Sequence, residues 1–216
     1  MEIKEKKPEN FGGLEVQLDE KHINHLWDCI NTARGGSFKG SLVGQIEKSY
    51  HLPDKNDIFW KEVIEPCVNK YGEVFGHGWS RMATSPEFRV KPYLETMWVN
   101  YQNAGEYQPI HDHSGLYSFA IWLVNPVDYF PQAFQKNADG ASTSFNNTFC
   151  FQHLNMLGQQ KTTMYQMNKE LEGWMVFFPA QLNHTVYPFY GCDKQRVSIS
   201  GNVMLKEDTS PLIIVD

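Results

Sequence analysis

From about Val90 onward the chain breaks into short runs rich in aromatic and β-branched residues, and this punctuation constrains the fold more than any other feature. The runs are VKPYLETMWVNYQ, LYSFAIWLVN, TFCFQHL, TTMYQMN, WMVFFP, HTVYPFY and RVSISGNVML, with NAGE, NPVD, NADG, EGW and YGCD between them. Gly, Asn, Asp and Pro in the spacers supply the backbone conformations that tight reversals need, and the runs have the length and composition of strands. No alternation of strand and crossover helix is present, so the pattern predicts an antiparallel sandwich or barrel. Two helices are predicted ahead of it, from Asp19 to Arg34 and from Asp57 to Phe75. Ile23, Leu26, Trp27, Ile30 and Ala33 form an apolar stripe along the first. Pro66 should kink the second or delay its start. The intervening GGSFKGSLVGQIEKSYHLPDKN reads as a long surface loop. All 216 residues are therefore expected in a single domain, with helical support over 1–85, a β-core over 86–206 and an irregular insertion over 125–148. Long irregular insertions of this kind commonly serve as lids or mobile loops.

Composition narrows the partners. Lys and Arg total 19 against 25 Asp and Glu, a formal charge of −6, and no basic run occurs, which argues against nucleic acid. The N-terminal MEIKEKKPENFGG lacks the apolar run of a signal peptide, and no segment approaches the roughly 18 apolar residues of a membrane span. A cytoplasmic protein with no membrane partner is expected, and a homodimer is left open. Cys29, Cys67, Cys150 and Cys192 form no C-x-x-C, so they are read as reduced structural thiols and metal chemistry falls to the histidines.

The stretch YQPIHDHSG, residues 107–115, holds two of them at a spacing of two. On an extended strand such positions share a side, so His111 and His113 converge while Asp112 points away. His184, in WMVFFPAQLNHTVYPFY, is the candidate third ligand. Three imidazoles approaching a metal from one side leave the opposite positions free for substrate and O₂. His22, His25, His51, His77 and His153 lack such a pairing, although His22 and His25 stand one helical turn apart. Further on, Arg196, Ser198, Ser200 and Asn202 alternate with Val197, Ile199, Gly201 and Val203. A polar face turned to water is ordinary for a strand. Turned inward, it would bury a guanidinium that needs an anion, and a ligand carboxylate would match its planar fork.

Together, MWVNYQNAGEYQPIHDHSG, EGWMVFFPAQLNHTVYPF and RVSISGN resemble the Fe(II)- and 2-oxoglutarate-dependent oxygenases over roughly Pro92 to Leu205. The N-terminal helices are similar to those of prolyl-hydroxylase-like members, and the detail resembles a branch found in bacteria and phages. The resemblance implies a mainly β, α+β fold: a double-stranded β-helix, or jelly-roll, core with N-terminal buttressing helices. It implies Fe(II) at His111, His113 and His184, 2-oxoglutarate with its far carboxylate at Arg196 and Ser198, and O₂. It further implies a hydroxylase that releases succinate and CO₂ while acting on an unidentified small-molecule or peptide substrate. Tyr101 and Asn103, with Tyr107, lie on or just after the strand feeding the histidine pair and are candidates to hydrogen-bond the cosubstrate.

One ligand departs from the family, whose members carry His-x-Asp or His-x-Glu where this chain has His111, Asp112 and His113. Either the three imidazoles form a neutral triad, or a bend near Ser114 or Gly115 turns Asp112 to the metal beside one histidine and His184. Two other readings stand beside the oxygenase: a cupin-like three-histidine dioxygenase or isomerase that does not use 2-oxoglutarate, and a non-catalytic jelly-roll binding module. Trp122 is expected to pack. Phe130, Phe134, Phe145, Phe149 and Phe151 are expected either to close over a substrate or to pin the insertion to the sheet.

Overall fold

Strand β5 (Tyr117–Val124), YSFAIWLV, is buried at every position but the last. Tyr117, Phe119, Ile121 and Leu123 face a core shared with the helices. Ala120 and Trp122 face the opposite way, into a second core between two sheets. A strand covered on both faces cannot show the apolar–polar alternation of a half-exposed one, hence its nearly continuous apolar run. The computed structural model describes residues 12–33, 35–76, 89–138, 140–155 and 157–209. Among these residues β5 lies inside a six-stranded sheet ordered β1-β8-β5-β10-β3-β2. Its other strands are β1 (Leu14–Gln17), β2 (Lys48–His51), β3 (Val90–Gln102), β8 (Trp174–Pro179) and β10 (Arg196–Glu207). A smaller sheet is ordered β4-β9-β6-β7, from β4 (Gln108–His111), β9 (His184–Val186), β6 (Thr148–Leu154) and β7 (Gln160–Gln166). The strand pairs are antiparallel, and the predicted jelly-roll sandwich is observed.

Helices α1 (Glu20–Thr32) and α2 (Glu65–Phe75) cover the outer face of the larger sheet, Leu26, Cys29, Val68 and Tyr71 packing with Phe119, Ile121, Phe177 and Ile199. A single π-helical stretch, Trp60–Ile64, leads into α2, so Pro66 falls in the first turn. The wide turn absorbs the register change, and the missing N–H of proline sits where it costs little. All four cysteines are free.

Three features differ from the sequence expectation. The N-terminal support is not purely helical: β1 pairs with β8 and β2 with β3, extending both edges of the larger sheet. Both are four residues long, too short to carry a periodic signal. The stretch read as a surface loop is instead a wall. Phe38 and Ile46 are buried, Phe38 stacks on Trp98 with ring centroids 4.5 Å apart, and the N–H of Gly44 donates to Gln108 Oε1 at 2.6 Å. A Cβ at position 44 would run into the Tyr107 carbonyl and Gln108, so the close approach requires glycine.

The insertion, with helix α3 (Tyr129–Ala133), is tied down rather than poised to close. Asn125 Nδ2 donates to the Asn168 carbonyl at 2.8 Å, Gln132 Nε2 to the Tyr190 carbonyl at 2.9 Å, and Asn147 Nδ2 to the Met167 carbonyl at 2.7 Å. Phe130 and Phe134 are exposed and contact each other edge-on, while Phe145 stacks on Tyr187.

Candidate metal centre and cosubstrate pocket

Pairing of β4 with β9 sets His111 directly opposite His184, ring centroids 4.2 Å apart. His113 lies two residues past the end of β4, where its backbone N–H donates to the Ala180 carbonyl at 2.8 Å. Its ring comes within 5.2 Å of His111 and 4.9 Å of His184, centroid to centroid. One nitrogen from each imidazole can lie within 4.8 Å of the others, close enough to share an ion. Asp112 is exposed and stands outside this cluster, as strand alternation would have it.

Each Nδ1 already faces an acceptor. That of His111 lies 2.7 Å from the Pro109 carbonyl, that of His184 2.9 Å from the Leu182 carbonyl, and that of His113 2.9 Å from Asn202 Oδ1 and 3.0 Å from Ser118 Oγ. Acceptors at Nδ1 select the Nδ1–H tautomer, which leaves the Nε2 lone pairs for a metal. Burial, then repulsion from the neighbouring imidazoles, pushes His184 down to about 3. Burial and the His111 charge push His113 down to about 4, and burial lowers His111 as well. The rings are therefore neutral at pH 7, and a metal displaces no proton from them.

Across the sandwich, Arg196, Ser198, Ser200 and Asn202 of β10 line one cavity with all three histidines, joined by Asn100 and Gln102 of β3. Its volume is about 300 Å³, and Ala120, Trp122, Phe149 and Phe178 provide apolar wall. The polar face of β10 thus looks inward, while Val197, Ile199 and Val203 pack in the helix-facing core. Arg196 is 1% exposed. Its Nη1 donates to Gln102 Oε1 at 2.9 Å and to the Tyr187 carbonyl at 3.4 Å, its Nη2 donates to Asn147 Oδ1, and its guanidinium carbon lies 5.1 Å from the Phe189 ring centroid. Its Nε has no hydrogen-bond partner among the described residues. Among the described residues no carboxylate pairs with it. Burial lowers it to about 9, which leaves it charged at pH 7. A buried cation held only by neutral acceptors, with one N–H unsatisfied, has the charge and donor chemistry that an anion would complement. Metal-competent imidazoles on one wall and this cation on the other suit Fe(II) and a small diacid.

Two sequence-predicted cosubstrate contacts are corrected. Tyr101 packs against the helix-facing core, on the opposite face of β3 from the cavity. Asn103 lies past the end of β3, its backbone N–H on Glu106 Oε2 and its Oδ1 accepting from Gln195 Nε2. Asn100 and Gln102 occupy the inward positions instead. The signal that could have found them is indirect: β10 has a legible polar face, and Arg196 pairs with Gln102 and Ser198 with Asn100, so the inward parity of one strand passes to the other. That register is not written in the local sequence. Of the aromatics in and just after the insertion, Phe149 lines the cavity, while Phe130, Phe134, Phe145 and Phe151 do not.

His22 and His25 lie away from this cavity, at the contact between α1 and the second helical segment. His25 Nε2 lies 3.0 Å from Asp54 Oδ1 and 3.5 Å from Cys29 Sγ, while the two Asp54 oxygens accept the N–H groups of Phe59 and Trp60. This group fastens α1 to the start of the second helical segment. His22 lies 3.3 Å from Glu62 on the same interface, and His77 falls outside the described residues.

Residues 96–202 match the family model described as "Putative 2OG-Fe(II) oxygenase". No curated protein matches the chain by sequence. Among solved structures, a 2OG-Fe(II) oxygenase family oxidoreductase from Burkholderia pseudomallei is similar at TM-score 0.50 and 10% identity, over 89% of this chain and 85% of that one. A prolyl-4-hydroxylase from Pseudomonas putida follows at TM-score 0.49 and 10% identity, over 88% and 91%. The reaction class of the matched family uses Fe(II), 2-oxoglutarate and O₂, and the facing imidazoles and buried guanidinium have the donor chemistry to receive the first two. The span 96–202, which holds the three histidines and Arg196, matches the 2-oxoglutarate- and Fe(II)-dependent oxygenase superfamily.

Proposed function

We propose that the protein is a hydroxylase in which His111, His113 and His184 hold Fe(II) as a neutral triad and Arg196 receives the far carboxylate of 2-oxoglutarate, with Ser198 beside it. The carrying observation is Arg196 itself, a buried guanidinium with neither an Nε–H acceptor nor a carboxylate partner among the described residues, lining the same cavity as the three imidazoles. A three-histidine enzyme that did not use 2-oxoglutarate would have no need of such a cation. The exposure of Asp112 favours His113 over it as the third ligand.

The chemistry supplied by the bound metal is O₂-driven hydroxylation of a substrate C–H bond, coupled to conversion of 2-oxoglutarate to succinate and CO₂. The chain's own part is orientation and exclusion. Gln102 and Asn147 fix the guanidinium before the diacid arrives, so binding does not have to order it. Ala120, Trp122, Phe149 and Phe178 keep bulk water from the reacting centre. Leu42, Val43, Asp112 and Ser114 form the rim where a small molecule or a peptide side chain would enter.

The test is succinate formation from 2-oxoglutarate by protein loaded with Fe(II) under anaerobic conditions and then given O₂. Succinate above the metal-free control is expected even without the true substrate, from slow uncoupled turnover. Arg196→Ala should abolish 2-oxoglutarate binding and spare the metal. Absence of both succinate and 2-oxoglutarate binding in the wild type would overturn the proposal.

A further inference from the structure

We infer that Asn202 and Ser118 are positioning residues that lock His113 in its Nδ1–H tautomer, allowing an imidazole to serve where this family carries a carboxylate. The inference rests on the triad proposed above. His111 and His184 are held by local devices, each Nδ1 facing the backbone carbonyl two residues earlier in its own chain segment. His113 has no such carbonyl. It lies outside β4, and its Nδ1 faces two side chains from the other sheet, Asn202 Oδ1 at 2.9 Å and Ser118 Oγ at 3.0 Å.

These two residues are direct partners in the β10–β5 pairing, and the Ser118 hydroxyl donates to Asn202 Oδ1 at 2.8 Å. The proton of Ser118 is thereby committed to Asn202. Toward His113 the hydroxyl can offer only a lone pair, and so can the amide oxygen. An imidazole nitrogen facing two acceptors must carry the hydrogen, so Nε2 is left with its lone pair and aimed at the cluster. Oxygen acceptors at Nδ1 also raise the basicity of Nε2 as a ligand, recovering part of the donor strength lost with the carboxylate. Ser118 is completely buried, so water does not compete for this contact.

Co(II) titration followed by d–d absorption, together with side-chain ¹⁵N NMR of the metal-free protein, tests the inference on wild type, Asn202→Leu, Asn202→Asp and Ser118→Ala. Wild-type His113 should show the Nδ1–H tautomer without metal. Asn202→Leu, which keeps the branched heavy-atom skeleton but cannot accept, should mix the tautomers and weaken Co(II) binding by about 10- to 100-fold. Asn202→Asp keeps the acceptor and should retain both tautomer and affinity, and Ser118→Ala should weaken binding less than Asn202→Leu. Equal affinity for Asn202→Leu and wild type would overturn the inference, as would an Asn202→Asp loss as large as that of Asn202→Leu in folded protein. If Asn202→Leu does not fold, the wild-type tautomer and the Asp variant decide. A wild type that binds no Co(II) would instead overturn the triad, while the tautomer would still be read from the metal-free spectrum.

Discussion

Replacing Arg196 with Met removes a charge in the cavity wall that no acidic residue among those described balances, and its consequences can be sized. Burial holds the guanidinium down at about 9, a penalty on the charged form of some 5 kcal/mol at about 1.4 kcal/mol per pH unit. Removing the charge relieves that penalty but strands the acceptors on Gln102, Asn147 and Tyr187, at roughly 1–3 kcal/mol each. The opposing terms are of similar size, so ligand-free stability should change little. Ligand response should change completely. At 2-oxoglutarate one hundredfold above its dissociation constant, linkage stabilises the wild type by about 2.7 kcal/mol. For a chain of this size that is a melting shift of roughly 5–11 °C. Breaking a buried carboxylate–guanidinium pair costs about 3–5 kcal/mol, on the order of 10²- to 10⁴-fold in affinity. The same ligand concentration would then lie near or below the dissociation constant, and the shift should fall under about 2 °C. Anaerobic thermal melts of metal-loaded protein with and without 2-oxoglutarate measure this directly. A full shift in Arg196→Met would refute the assignment of the cation.

Three further outcomes follow from the same geometry. Gln102→Leu should raise the 2-oxoglutarate requirement for turnover because the guanidinium loses its fixing acceptor, whereas Tyr101→Phe should leave it unchanged; the reverse ranking in succinate assays would put the parity of β3 in error. Gly44→Ala should cost about 1–3 kcal/mol by overpacking against Tyr107 and Gln108, read from urea denaturation, and tryptophan fluorescence should report loss of the Phe38–Trp98 stack. In metal-free protein His113 and His184 titrate lower folded than unfolded, so the unfolded chain takes up more protons as pH falls. Stability from these rings is complete above the ordinary histidine value and declines from there until pH passes the folded values, about 4 for His113 and about 3 for His184. His184→Leu should flatten that decline by about 2–3 kcal/mol between pH 7.5 and 4.5, and identical slopes for variant and wild type would contradict the burial argument.

Where local pattern alone fixes an outcome, the chain was legible. The turn-separated aromatic and β-branched runs specified the sandwich because pleat alternation and reversal chemistry are local properties. The stripe from Ile23 to Ala33 marked the helix that covers it for the same reason. Alternation of Arg196, Ser198, Ser200 and Asn202 exposed a polar face, and the His111–Asp112–His113 spacing implied two converging rings with a carboxylate turned away.

Tertiary structure decided what depends on partners distant in sequence. Whether the polar face of β10 met water or a cavity was set by the smaller sheet lying over it. Which residues of β3 joined that face was set by the Arg196–Gln102 register, and a slip of one residue would have turned Tyr101 inward instead. Phe38 and Gly44 became part of a wall because Trp98 and Gln108 waited across a gap that no local pattern reveals. The ring of His113, past the end of its strand, takes its direction from Ser118 and Asn202, side chains that meet it only once both sheets are in place.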